Sequence, residues 1–137
     1  YLLEAASRLT TPVAPLPVAI DDDLRRGLPI DLFFAAMGAR LEPARAGPAH
    51  ESITLHFTDT DDHYVVTVRR GVAEVVRGEP LPGTPAPLAS ITTDTDTWKR
   101  LALEQDSAAW ALLGDQLRVD GSLLDLRRFL AYFRRGA

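Results

Sequence analysis

Apolar and polar residues alternate with period two through the middle of the chain. Ile53, Leu55 and Phe57 are interleaved with Ser52, Thr54 and His56. After the polar run Asp59-Thr60-Asp61-Asp62, the alternation resumes at Tyr64, Val66 and Val68. That period marks half-buried strands, and the aspartates supply turn chemistry between them. A hairpin turning symmetrically about Thr60-Asp61 would set Phe57 opposite Tyr64, Leu55 opposite Val66 and Ile53 opposite Val68, all on one face. Arg70-Gly71 suits a second tight turn, since glycine tolerates positive φ, and would bring Val75 beside Val66 and Ala73 beside Val68. Residues 51–77 thus predict an antiparallel three-stranded meander with one apolar face that needs a cover.

Helical spacing supplies the covers. Asp21 suits the N-cap of a short helix over 22–26, closed by Gly27. Pro29 then opens a second helix whose apolar residues Ile30, Phe33, Phe34, Met37 and Leu41 form one stripe, with Ala35 and Ala36 keeping its backbone close to its neighbour. Residues 88–93 read as a fourth strand. Thr93 with Asp96 resembles a capping box before a helix carrying Trp98, Leu101 and Ala102. A further helix starts at Asp106 or Ser107, bears Trp110 and Leu113, and ends at Gly114. Leu117 and Val119 mark a short fifth strand. Ser122 with Asp125 caps a last helix with the stripe Leu123, Leu126, Phe129 or Leu130, and Phe133. Residues 43–48 and 78–87 are loops rich in glycine and proline. The order predicts an α+β fold, a mainly antiparallel five-stranded sheet with helices packed on one face.

Residues 1–9 have helical spacing, and Pro12, Pro15 and Pro17 make 12–20 an extended linker. Residues 1–20 are therefore expected to be the end of a preceding helical domain and its tether, and residues 21–137 one domain. The chain starts at Tyr1, without an initiator methionine or signal-peptide pattern, as expected of a piece of a longer protein.

The 137 residues are 46% hydrophobic and 25% charged, which suits one globular domain with a substantial core. No run approaches the ~18 apolar residues of a membrane span. The net charge of −4 lacks the basic stripe that a nucleic-acid backbone requires; Arg127-Arg128 and Arg134-Arg135 sit on or after the last helix, where its dipole favours cations. Cysteine is absent, which excludes disulfides and thiol catalysis but leaves the compartment undecided. Lys99 is the only lysine among many arginines, a bias in keeping with GC-rich bacterial coding.

No catalytic or metal constellation stands out. The predicted hairpin register places His56 and His63 out of opposition, and no H-x-H or H-E-x-x-H spacing occurs, so no metal ligands are expected. G-x-S-x-G is missing, and the aspartate groups at 21–23, 59–62 and 94–96 lack the calcium-loop pattern, reading as caps and turns. The large apolar side chains have two readings, ordinary core or the lining of a groove for an aliphatic chain. Groove candidates are Phe33, Phe34, Met37, Leu55, Phe57, Val66, Trp98, Leu101, Trp110, Leu126, Phe129, Leu130 and Phe133. Phe34, Met37 and the last-helix aromatics come first, because flexible and flat groups accommodate varied chains.

Four strings carry a family resemblance: LRRGLPIDLFFAAMGARL at 24–41, ITLHFTDTDDHYVVTVRRGVAEV at 53–75, LASITTDTDTWKRLAL at 88–103 and LLGDQLRVDGSLLDLRRFLAYF at 112–133. Together they resemble the sterol carrier protein 2-like C-terminal domain of bacterial alkyl sulfatases, over roughly residues 22–135. The resemblance implies a non-catalytic domain that recruits the aliphatic part of a substrate such as an alkyl sulfate or fatty acid. It implies a parent chain with a zinc-dependent, metallo-β-lactamase-like sulfatase domain, and a helical domain through which the parent forms a homodimer. The histidine motif of that zinc site is absent here, so the expectation is no cofactor and no sulfate hydrolysis by this chain alone. The alternative is a structural module that packs on the parent's other domains or mediates oligomerisation.

Overall fold

The computed structural model describes residues 22–103 and 116–133. The expected linker and preceding helix, and the helix bearing Trp110, lie outside them. The described elements are α1 (Asp22–Gly27), α2 (Ile30–Ala39), α3 (Pro43–Ala46), β1 (His50–Phe57), β2 (Asp62–Arg69), β3 (Val72–Arg77), β4 (Pro87–Thr93), α4 (Thr95–Leu103), β5 (Leu117–Gly121) and α5 (Leu123–Ala131). The class is α+β, and the five strands lie in the order β3-β2-β1-β4-β5.

The sheet is mixed, which corrects the mainly antiparallel expectation. β1–β2, β2–β3 and β4–β5 are antiparallel, but β1 and β4 run parallel. The cause is the connection at residues 78–86. β3 ends beside the start of β2, where Gly78 N–H donates to the His63 carbonyl at 2.7 Å. The chain then returns over the outer face, where Ser52 Oγ donates to the Pro85 carbonyl at 2.9 Å, and β4 starts level with Ser52. A strand entered after such a return must point the same way as β1. The crossing also explains why Ser52 and Val65, both on the outer face, are buried.

The meander's apolar face is as expected, but the β1–β2 register is shifted by two residues. Leu55 pairs with Tyr64, Ile53 with Val66, and Phe57 with Asp62. A two-residue shift leaves every side chain on its predicted face, since side chains repeat with period two. The hairpin closes through residues 58–61 rather than a two-residue turn, with Asp61 at φ 55° and its N–H donating to the Phe57 carbonyl at 2.8 Å. That loop is held from outside: Thr58 N–H donates to the Thr93 carbonyl, and the Asp59 carboxylate accepts from Thr95 N–H and Thr95 Oγ1–H at 3.1 and 2.6 Å. The second turn has the predicted register, Val66 with Val75 and Val68 with Ala73. Arg70 and Gly71 sit there at φ 53° and 72°.

Ile53, Leu55, Phe57, Tyr64, Val66, Val68, Ala89 and Ile91 of the inner face join one core with Phe33, Phe34 and Met37 of α2, Trp98 and Leu101 of α4, and Leu126, Phe129 and Leu130 of α5. Leu123, placed on the last helix's stripe by spacing, is 46% exposed. Asp94, not Thr93, caps α4: its carboxylate accepts from Thr97 N–H and Thr97 Oγ1–H at 2.7 and 2.8 Å. Thr93 points inward and donates to the Gln116 carbonyl. Its inward position follows from strand alternation with Ile91, which the capping-box reading overlooked.

Polar ties clamp this layer on two sides. Arg25 donates to Asp96 from Nε and Nη2, joining α1 to α4. Lys99, read from sequence only as a coding bias, is buried and donates to the carbonyls of Arg25 and Leu28, so its ammonium caps the end of α1. On the far side Arg128 of α5 donates to both Glu51 carboxylate oxygens at 3.0 and 2.9 Å, and the Tyr132 hydroxyl donates to Glu51 at 2.7 Å.

Candidate functional site

The inner face is not sealed along its β3 edge. α2 crosses there with small residues: Ala35 and Gly38 face Ala73 and Val75, and the missing side-chain volume leaves a groove of about 660 Å³. This is within the usual range for small-molecule sites, roughly 300–1,000 Å³. The groove follows β3 from Val72 to Arg77, with Phe34 and Leu41 as larger walls. Six strand residues advance about 17 Å. An extended hydrocarbon with C–C bonds of ~1.5 Å advances about 1.25 Å per carbon, so about fourteen carbons match that length.

One end is polar. Tyr64, Asp31 and Arg77 meet there, opposite the end formed by Leu41, Gly71 and Val72. The Tyr64 hydroxyl donates to Asp31 at 3.3 Å, and Arg77 donates to Asp62 at 2.6 Å. Burial, with the Asp31 carboxylate beside it, pushes the Tyr64 hydroxyl above its ordinary range, so it remains a neutral donor. The hydrogen bond to Asp62 raises Arg77, which stays cationic. One guanidinium between two carboxylates leaves no excess of positive charge, so this end offers hydrogen bonds more than a strong anion site.

Of the described groove candidates, Phe34 lines this cavity. It separates groove from core, with its ring centroid 5.0 Å from Tyr64 and 6.4 Å from Trp98. Phe33, Met37, Leu55, Phe57, Val66, Trp98, Leu101, Leu126, Phe129, Leu130 and Phe133 are buried in the core and do not line it. Trp110 lies outside the described residues. The residues that shape the groove, Ala35, Gly38, Ala73 and Val75, are small, and none is among the large apolar candidates. The small pair Ala35 and Gly38, three apart on one helix face, was the available signal.

A second, more polar recess of about 400 Å³ lies on the outer face under the start of the crossing segment, lined in part by His56, His63, Glu79, Ser90 and Thr92. The two-residue register shift brings His56 and His63 directly opposite each other, contrary to expectation. Their rings stack at 4.3 Å and 8°. Among the described residues no helix is long and apolar enough to cross a membrane.

Against known proteins, the family model described as alkyl sulfatase C-terminal matches residues 19–136. A linear primary-alkylsulfatase from a Pseudomonas species is 32% identical over 114 residues, covering 83% of this chain and 21% of that enzyme. The chain thus spans about a fifth of the length of the curated relatives it matches. Among solved structures, a stereoselective inverting sec-alkylsulfatase from Pseudomonas superposes with a TM-score of 0.69 at 20% identity, over 84% of this chain and 18% of that one. The palmitated sterol carrier protein 2-like 2 from Aedes aegypti superposes with a TM-score of 0.54 at 12% identity, over 79% of this chain and 96% of that one. Both structural likenesses establish the fold, which is sterol carrier protein 2-like.

Proposed function

The chain belongs to the alkyl sulfatase C-terminal family, and from that premise we propose that it is a non-catalytic domain that holds the alkyl part of the parent enzyme's substrate. The observation that carries this reading is the groove between α2 and β3, apolar along its length and polar at the Tyr64 end. The family supplies the substrate class, an alkyl sulfate. The palmitated state of the Aedes protein supports an acyl or alkyl occupant for this fold, although its identity to this chain is only 12%.

A chain of twelve carbons, fully buried, would gain roughly 9 kcal/mol at about 0.8 kcal/mol per methylene. Association offsets several kcal/mol of that. Val72 on the rim is 63% exposed, so burial is incomplete and micromolar affinity is the expectation. The balanced charges around Arg77 support weak selectivity between a sulfate and an alcohol head. Hydrolysis would then belong to a zinc-dependent domain elsewhere in the parent, with this chain raising the local concentration of substrate. Titration of the delipidated chain with dodecyl sulfate below its micelle concentration tests the reading, which requires saturable binding.

A second reading has its own observation. Among the described residues β3 is an edge strand of the sheet, and Val72 on it is 63% exposed. Another domain of the parent could dock there, and light scattering separates the two: a docking module without ligand function self-associates or stays inert to alkyl chains.

A further inference from the structure

We propose that His56, Asp61 and His63 form a binding site for a borderline divalent transition ion such as zinc, on the outer face and away from the alkyl groove. One ligand atom of each residue can be chosen so that all lie within 4.8 Å of one another. His56 and His63 are held side by side by strand pairing, and Asp61 is returned over them by the hairpin loop, where its φ of 55° turns the chain. His56 Nε2 and Asp61 Oδ1 are 2.9 Å apart, so in the metal-free state the imidazole N–H donates to the carboxylate. Metal binding replaces that proton.

The chemistry of the donors selects the ion. Two imidazoles and one carboxylate suit zinc, nickel or copper, and are poor for calcium or magnesium, which prefer oxygen. Zinc with ligands at about 2.0–2.1 Å needs donor atoms about 3.3 Å apart, so the trio must contract by up to about 1.5 Å. It can do so by side-chain rotation, since His63 is exposed and the Asp61 side chain is 88% exposed. The remaining coordination positions fall to water or to Glu79, which lines the same recess as both imidazoles. The site does not depend on the alkyl-binding reading, and it is separate from any zinc in the parent's catalytic domain. Its structural effect would be to pin β1, β2 and the loop that holds the start of α4 through Asp59.

The test is calorimetric titration of the tag-free chain with zinc chloride at neutral pH, with a thermal melt of each sample. The expected result is one saturable site, a melting temperature raised by zinc, and loss of both in His56→Gln and in His63→Gln. Asp61→Asn weakens binding, and His50→Gln, at the other end of β1, leaves it unchanged. The proposal is overturned if the folded wild-type chain shows no saturable zinc binding. It is equally overturned if both histidine variants bind as wild type does, or if calcium binds as well as zinc.

Discussion

Gly38 of α2 and Ala73 of β3 face each other across the groove, and a Cβ added at Gly38 would stop 4.0 Å from the Ala73 Cβ. That is an ordinary van der Waals contact, and Gly38 does not have positive φ. Gly38→Ala therefore gains helix propensity without strain, and stability should rise by about 0.5–1 kcal/mol. Urea unfolding measures this; a clear loss of stability would mean that α2 packs more tightly on β3 than described.

The groove reads chain length more than head group. Each methylene added within its ~17 Å span should tighten binding about fourfold, from about 0.8 kcal/mol per methylene. The gain should stop once the chain outgrows the groove. An alkyl sulfate and the alcohol of equal length should bind within a small factor of each other, because Arg77 is already paired with Asp62. A series from eight to sixteen carbons checks both claims. Affinity set by the sulfate and indifferent to length would contradict them.

Gly121 closes β5 at φ 120°, and a Cβ there would lie 2.6 Å from the Leu88 carbonyl oxygen and 2.9 Å from Ala89 Cα. Both are backbone atoms of the paired strand and cannot swing aside. Gly121→Ala should cost roughly 2–3 kcal/mol, from backbone strain together with steric displacement. Denaturant unfolding with an unchanged slope would register it as a lower midpoint.

Acid should loosen the ties between layers. Hydrogen bonding from Arg128 holds the Glu51 carboxyl below its ordinary 4.5, and Arg25 does the same for Asp96, ordinarily 3.8. Both folded values lie below the unfolded ones, so the unfolded chain takes up more protons as the solution acidifies. The stabilisation is complete above the unfolded values and is lost as pH falls through the folded ones. Stability should hold near neutrality and decline below about pH 4.5, with a shallower decline in Glu51→Gln. An identical acid profile in that variant would remove Glu51 from the explanation.

Local pattern carried the strand faces, the second turn and most helix positions, because alternation at Ile53 to Phe57 and spacing at Phe33, Phe34 and Met37 are written in neighbouring residues. The first hairpin's register was not legible. It depends on Asp59 reaching Thr95, 36 residues away, a contact that local turn propensities do not contain. The parallel pairing of β1 with β4 was hidden for the same reason: the path of residues 78–86 decides it, and that path is tied to β1 by the bond from Ser52 to the Pro85 carbonyl and to β2 by backbone. A groove beside α2 was legible, and Phe34 lines it, but its small walls were not, because cavities arise where side chains are small. Large residues such as Trp98 and Phe129 reach their own partners and close the core instead.

Occupancy of the α2–β3 groove by an alkyl chain is tested by comparing the delipidated wild-type chain with Gly38→Leu in a dodecyl sulfate titration followed by amide NMR. Leucine at this helix position keeps α2 intact and sends its side chain into the groove. Saturable shifts centred on Phe34, Ala35, Gly38, Ala73 and Val75 are expected in the wild type, and their loss in a variant that remains folded. Undiminished binding by Gly38→Leu, or saturable shifts centred elsewhere on the domain, would contradict it.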